Sequence, residues 1–180
     1  MKLKKGVVIW FFGLSGSGKS TLSEGLYNFF LNKGILTRRL DGDIVRERLN
    51  SDLGFEKKDR EENIRRVAEV SKLFSEIGVV TICSFITPEK YLRSLAKNII
   101  GKDFFIDIYV DCSIEKCIDR DVKGLYKKAL NKEILNFTGI DAIFEKPDNF
   151  RFSVNTEQQT LKASMDSLYS FLKTELYEMQ

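Results

Sequence analysis

Val7-Val8-Ile9-Trp10-Phe11-Phe12-Gly13-Leu14-Ser15-Gly16-Ser17-Gly18-Lys19-Ser20-Thr21 runs from an unbroken apolar stretch through a glycine-rich octet into a helical pattern. The octet Gly13 to Ser20 satisfies GxxxxGK[ST], and its setting, strand before and helix after, is the one this pattern requires. The glycines let the loop curl so that successive backbone N–H groups meet phosphate oxygens, and the helix N-terminus adds partial positive charge. Gly13, Leu14, Ser15, Gly16, Ser17, Gly18, Lys19, Ser20 and Thr21 are therefore expected to bind ATP. Lys19 would reach the β and γ phosphates, and the Ser20 hydroxyl would coordinate Mg2+. With glycine at roughly 7% of residues, chance rarely fills such a pattern in a chain this short.

Working outward, three more short β-branched runs follow, Ile35 to Leu40, Val79 to Ser84 and Phe104 to Val110, separated by longer amphipathic stretches. This alternation predicts βα units around a parallel sheet, an α/β three-layer P-loop NTPase fold with helices on both faces. Helices are expected over Lys19 to Leu31 and Lys57 to Ile77, the latter with Ile64, Val67, Ala68, Val70, Phe74 and Ile77 as its apolar stripe. Gly34 and Gly78 stand where these helices should stop. Pro88 is read as opening a helix to about Ile99, and Ser113 as capping another through Asp119. Asp121 to Pro147 is rich in Lys, Gly and Asn with few periodic apolar positions, which reads as a mobile lid over about 121–147. Phe150 to Val154 is expected as a last strand and Thr156 to Glu178 as a closing helix. Residues 1–180 form one domain by this reading, with no repeat and no linker.

Composition narrows the function. The 180 residues are 43% apolar and 31% charged with two prolines, which is globular composition. A formal charge of +3, with Lys and Arg scattered among acids, gives no stripe for nucleic acid. The basic start, Met1 to Lys5, resembles the head of a signal peptide, but Val7 to Phe12 is too short for its apolar core or for a membrane span. Cys83, Cys112 and Cys117 have neither zinc-site nor disulfide spacing, so a reduced cytoplasmic setting is expected. The chain has no histidine. Proton transfer near neutral pH therefore falls to carboxylates, Lys, Tyr, Cys or the substrate.

Leu40-Asp41-Gly42-Asp43-Ile44-Val45-Arg46 closes the second run, at the strand end where parallel sheets bind ligands. Asp43 is the candidate for accepting or orienting an acceptor hydroxyl's proton, and Asp41 for holding a magnesium-bound water. The same residues read equally well as an Asx-Gly turn beside an exposed Arg. Arg46, Arg60 and Asn63 could together clamp an anion, since Arg presents a forked donor to phosphate or sulfate.

Taken together, GLSGSGKST at Gly13 to Thr21, LDGD..R at Leu40 to Arg46, LN.DLGF at Leu49 to Phe55 and DR.ENIRRV at Asp59 to Val67 resemble the adenylylsulfate kinase family. SFITP at Ser84 to Pro88, RD.KGLYKKA at Arg120 to Ala129 and NFTGID at Asn136 to Asp141 extend the likeness over nearly the whole chain. The resemblance implies that ATP phosphorylates the ribose 3'-hydroxyl of adenosine 5'-phosphosulfate (APS), giving 3'-phosphoadenosine 5'-phosphosulfate and ADP. It implies that Arg46, Arg60 and Asn63 hold the phosphosulfate, that Phe55 and Phe137 sandwich the adenine, and that Ser84 also contacts the substrate. By the same likeness Lys123 is a lid lysine near the acceptor, Arg120 lies beside the ATP base, and the molecule is a homodimer.

Two positions depart from the family's pattern. Ile44 stands where the family usually has Asn, and Thr87 where it commonly has the Ser assigned as a phosphoserine in bacterial members. Thr87 keeps the hydroxyl and so remains a catalytic candidate, although in-line transfer requires only positioning and charge neutralisation, and a hydroxyl residue before a helix equally reads as a cap. Ile44 and the altered stretch after Pro88 leave open a relative that phosphorylates another nucleotide anhydride, such as cytidine diphosphoramidate. A third reading is a nucleotide-binding partner of a sulfurylase without catalysis, against which intact Lys19, Ser20, Asp41 and Asp43 argue.

Overall fold

The computed structural model describes residues 6–178, so the basic start Met1 to Lys5 lies outside the described residues. The elements are β1 (Val7–Phe12), α1 (Lys19–Asn32), β2 (Thr37–Asp41), α2 (Gly42–Glu47), α3 (Lys57–Glu76) and β3 (Val80–Ser84). They continue with α4 (Lys90–Ile100), β4 (Phe105–Asp111), α5 (Ile114–Arg120), α6 (Leu125–Leu130), β5 (Phe152–Asn155) and α7 (Leu161–Glu178). The strands form one sheet in the order β2-β3-β1-β4-β5, and every pairing is parallel. The expected three-layer arrangement is present, with β1 in the middle of the sheet.

The central strand explains why its run is apolar without interruption. Val7, Ile9 and Phe11 belong to a core with Leu22, Leu26 and Phe30 of α1 and Leu168 and Leu172 of α7. Val8, Trp10 and Phe12 face the opposite core, with Val67 and Ala68 of α3 and Ala96 of α4. A strand covered on both faces has no solvent side on which to place a polar residue. Replacing Trp10, fully buried, by Ala is expected to cost about 3–5 kcal/mol.

Several local readings are corrected by packing. The stripe of α3 is Ile64, Val67 and Ala68 with Ser71 and Ser75 buried beside them, while Ile77 is 73% exposed. The two serines fit because each hydroxyl donates back to a carbonyl of its own helix, Val67 O and Lys72 O. Pro88 does not open α4: the helix starts at Lys90 with Glu89 as its N-cap. Asp41-Gly42-Asp43 is not a bare turn but the start of α2, capped by the Asp41 carboxylate, which accepts from Asp43 N at 3.2 Å. The lid stretch holds one helix, α6, whose first amides bind the Asp121 carboxylate. Ser113 does cap α5, accepting from Lys116 N at 3.1 Å.

Candidate active site

The phosphate loop leaves β1 at Gly13, which has φ 149°. A Cβ there would meet Val110 O of β4 at 2.5 Å, so only glycine lets the loop pass this close to the neighbouring strand. Its carbonyls are then engaged one after another. Lys19 Nζ donates to Gly13 O at 2.9 Å and Leu14 O at 2.5 Å. The Tyr126 hydroxyl donates to Ser15 O at 2.9 Å, Arg120 to Gly16 O at 3.3 Å and the Thr156 hydroxyl to Ser17 O at 2.7 Å. With these carbonyls occupied, what the loop offers an anion is its amide side and the N-terminus of α1. Burial pushes the Lys19 ammonium down to about 8 from its usual value.

Strand β2 ends beside this loop. Asp41 Oδ2 accepts from the Ser20 hydroxyl at 2.9 Å and from the Ser84 hydroxyl at 2.8 Å. Burial works against its charge, but the Ser84 and Ser20 hydroxyls and the Asp43 amide outweigh it and hold the carboxyl below its ordinary value. Ser84, expected to contact substrate, thus spends its donor on Asp41. Asp43 is exposed and pairs with Lys123, which reaches it from the lid across 80 residues of sequence. Asp41, Asp43 and Lys123 are all close enough for their charges to act on Lys19.

A hydroxyl and an ionised carboxylate are hard oxygen donors, and Mg2+ binds to proteins through one or two such groups, completed by water and substrate phosphates. Among the described residues no group of three His, Cys, Asp or Glu could hold a metal by itself. The Ser20 and Asp41 pair therefore fits a magnesium that arrives with a nucleotide.

The other half of the site is assembled from distant segments. Arg46 donates to Gly54 O at 2.7 Å and Leu53 O at 3.3 Å, and its guanidinium lies 4.4 Å from the centroid of the Phe55 ring. Arg66 holds the same turn by a bidentate pair with Asp52, at 2.7 and 2.9 Å. Arg60 donates to Phe55 O at 2.9 Å, to the Thr138 hydroxyl at 2.8 Å and to Asn136 O. It thus joins the two loops that carry Phe55 and Phe137. Phe55 is 62% exposed, whereas Phe137 packs edge-on to Tyr126 with centroids 5.0 Å apart. An open cleft of about 400 Å³ lies between these loops, lined by Phe55, Arg60, Glu89, Asn136 and Asp141 among others.

Two candidates sit deeper than expected. Asn63 is buried, and its Oδ1 accepts from Asn50 Nδ2 at 2.9 Å. Thr87 is 1% exposed, and its Oγ1 accepts from Trp10 Nε1 at 2.9 Å. Its φ of 41° is unusual for a β-branched residue, and it does not cap α4. The buried hydroxyl has no open face for a phosphoryl group in this conformation, so its visible part is to fix the turn after β3. Arg120, expected beside the ATP base, packs against the phosphate loop, donating to Gly16 O at 3.3 Å and to Thr156 O at 2.6 Å. Tyr126, Thr138 and Thr156 were not singled out from sequence, because partners 78 to 139 residues away leave no spacing signal.

Comparison with known proteins agrees with this arrangement. The family described as adenylylsulphate kinase matches residues 5–155. The adenylyl-sulfate kinase of Clostridium acetobutylicum is 51% identical over 173 residues, covering 96% of this chain and 86% of its own length. The APS kinase of Mycobacterium tuberculosis, solved in complex with AMPPNP and APS, superposes with a TM-score of 0.89 at 36% identity, covering 94% of this chain and 98% of that one. A hexameric APS kinase from Thiobacillus denitrificans gives a TM-score of 0.74 at 26% identity, covering 97% of this chain and 30% of that longer one. The phosphate loop, the paired aspartates at the tip of β2 and the lid that reaches them occur together in a chain that belongs to the adenylylsulphate kinase family.

Proposed function

We propose that this chain transfers the γ-phosphoryl group of ATP to the 3'-hydroxyl of APS, yielding 3'-phosphoadenosine 5'-phosphosulfate and ADP. The observation that carries the reading is the division of labour between two carboxylates at the tip of β2. Asp41 takes the Ser20 hydroxyl of the phosphate loop, while Asp43, two residues on, faces the lid through Lys123. Asp43 thereby stands where a phosphate-loop ligand and an acceptor covered by the lid would meet.

The loop amides and Lys19 hold the triphosphate and offset charge on the oxygens of the transferred group. Ser20 and Asp41 are the residues that would hold Mg2+, which supplies further charge neutralisation when bound. Asp43 accepts the proton of the 3'-hydroxyl as the new O–P bond forms and the bond from the γ phosphorus to the leaving ADP oxygen breaks. Lys123, displaced from Asp43 by the entering ribose, stays close enough to stabilise charge around the acceptor. Phe55, an exposed ring on the cleft, and Phe137 would sandwich the base between them. Arg46, Arg60 and Asn63 form the anion-facing side, although their present partners are protein groups. These role assignments are part of the proposal.

Three free, buried thiols suit a reducing cytoplasm, and among the described residues no helix is long and apolar enough to cross a membrane. Self-association as a homodimer belongs to the same proposal and is read by sedimentation equilibrium. The activity is tested with ATP and a panel of acceptors, following ADP. APS should give turnover far above the no-acceptor control; turnover with cytidine diphosphoramidate but none with APS overturns the substrate assignment.

A further inference from the structure

Arg93, on α4, has no part in the chemistry described above, yet its guanidinium is more fully engaged than most in the molecule. Nη1 donates to Thr87 O at 2.9 Å and Pro88 O at 3.0 Å, and Nη2 to Glu145 O at 2.8 Å. The guanidinium also lies over two rings, 5.1 Å from the centroid of Phe12 and 5.8 Å from that of Phe144. Three carbonyls and two aromatic faces replace the water that a half-buried cation loses. A lysine, with one nitrogen, could not reach carbonyls on both sides.

The two segments that Arg93 joins are also bonded to each other. Glu145 N donates to Pro88 O at 2.9 Å, and a Glu145 carboxylate oxygen accepts from Lys90 N, an amide at the start of α4 that lacks an intrahelical partner. On one side, the turn is anchored to the core by Trp10 through Thr87 and touches the phosphate loop, Gly13 N donating to Ile86 O at 3.2 Å. On the other side, Phe144 stacks on Tyr109 with centroids 6.3 Å apart. Each joined segment supplies a wall of the acceptor cleft: Pro88 and Glu89 from the turn, Ala142 and Ile143 from the lid.

We infer that Arg93 is a positioning residue, a strap that pins the trailing end of the lid to the turn after β3 and so fixes the width of the acceptor cleft. The inference rests on the proposed function only for what fills the cleft; the strap itself is a statement about these two segments. Without the fork, the two segments keep the Glu145 bonds to Pro88 and Lys90 and the Lys90–Asp148 ion pair but lose three donations. The lid end then loosens from the turn, the acceptor meets a wider cleft, and the ATP side, held by Lys19 and by donors other than Arg93, is unaffected.

The test uses the full chain with Arg93→Ala and Arg93→Lys. In both, KM for APS should rise, by about tenfold or more in the alanine variant, while KM for ATP stays within about twofold, the pattern of lost acceptor binding. Hydrogen exchange read by mass spectrometry should quicken at the amides of Lys90 and Glu145 and stay unchanged in residues 7–21. A fall in melting temperature with both KM values and the exchange of residues 142–148 unchanged would reduce Arg93 to a stability residue and overturn the inference; so would KM values for APS and ATP that rise together. Should the alanine variant not fold, Arg93→Lys, which keeps the charge and the stem but not the fork, decides by the same readouts. If the wild-type chain does not phosphorylate APS, the functional reading fails on that result alone, and the exchange measurement still decides the strap.

Discussion

The two halves of the site are built in opposite ways. The phosphate-binding half is one stretch of sequence between β1 and α1, clamped by backbone curvature, by Lys19 and by outside donors on successive carbonyls. The acceptor half is gathered from four segments, around Asp43, Phe55, Thr87 and Phe137, and is held by arginine forks and by the ion pairs Lys123–Asp43 and Lys90–Asp148, acting across 52 to 80 residues of sequence. Side-chain ties of this kind contribute little each when partly exposed, so the acceptor half can open and close while the phosphate loop keeps its shape. A kinase needs that asymmetry, because a loosely closed acceptor site lets water compete for the phosphoryl group.

The largest effect expected on the contrast comes from Lys19→Ala. Loss of the buried ammonium should lower kcat/KM by about 10⁴, with ATP binding weakened as well, since the same nitrogen serves ground state and transition state. Isothermal titration with ATP beside steady-state rates checks both parts. Asp43→Ala should lower kcat by about 10³ while ATP affinity changes little, because Asp43 acts on the phosphate loop only through its charge on Lys19, the weakest of the influences there. Turnover near normal in that variant removes Asp43 from the mechanism; a matching loss of ATP binding means the two halves are not separable in the way described.

How far the chain could be read in advance follows the same division. The phosphate loop, all five strands and the long helices are legible because their signals are local: a glycine pattern, runs of β-branched residues, a repeat of three and four. Strand β1 was placed to the residue. Ile77 was misread because periodicity does not say where a helix stops being covered, and Pro88 because a proline marks a helix start only to within a turn. Helix α2 carries no signal that separates it from the Asx-Gly turn that reads equally well there, since Asp41 caps it and Asx residues serve both structures. In the acceptor half the residue types were visible, but what each one touches was not. Arg60 was expected to grip an anion and is found holding two loops together, Ser84 gives its hydroxyl to Asp41, and Arg93 carried no signal that distinguished it from a surface arginine.

Arg60→Ala therefore sharpens the comparison more than it tests a single contact. It removes donors to Phe55 O and the Thr138 hydroxyl and frees the loops bearing both aromatic rings. Partly exposed, these bonds contribute about 0.5–1 kcal/mol each, so KM for APS should rise by roughly tenfold, with KM for ATP within about twofold. An equal rise in both would show the phosphate loop leaning on the acceptor loops for its shape, contrary to the independence argued above.

The smallest effect separates the halves by their protons. Burial holds Lys19 at about 8 in the free protein, and a bound triphosphate, being an anion beside it, must raise that value. Above pH 8 the free protein carries Lys19 partly neutral, so ATP binding takes up a proton, and affinity falls as pH rises, by at most about tenfold per pH unit. The sign is opposite for the empty fold. With the folded value below 10.5, the unfolded chain holds more protons between pH 8 and 10.5, so the contribution of Lys19 to stability rises with pH across that window. The acceptor side relies on Arg46 and Arg60, whose guanidinium groups burial lowers but which stay charged throughout this range. Titrations between pH 7 and 9.5 should therefore show ATP affinity falling with proton uptake, and KM for APS nearly flat. A flat ATP profile would mean that Lys19 is not the group that meets the phosphates.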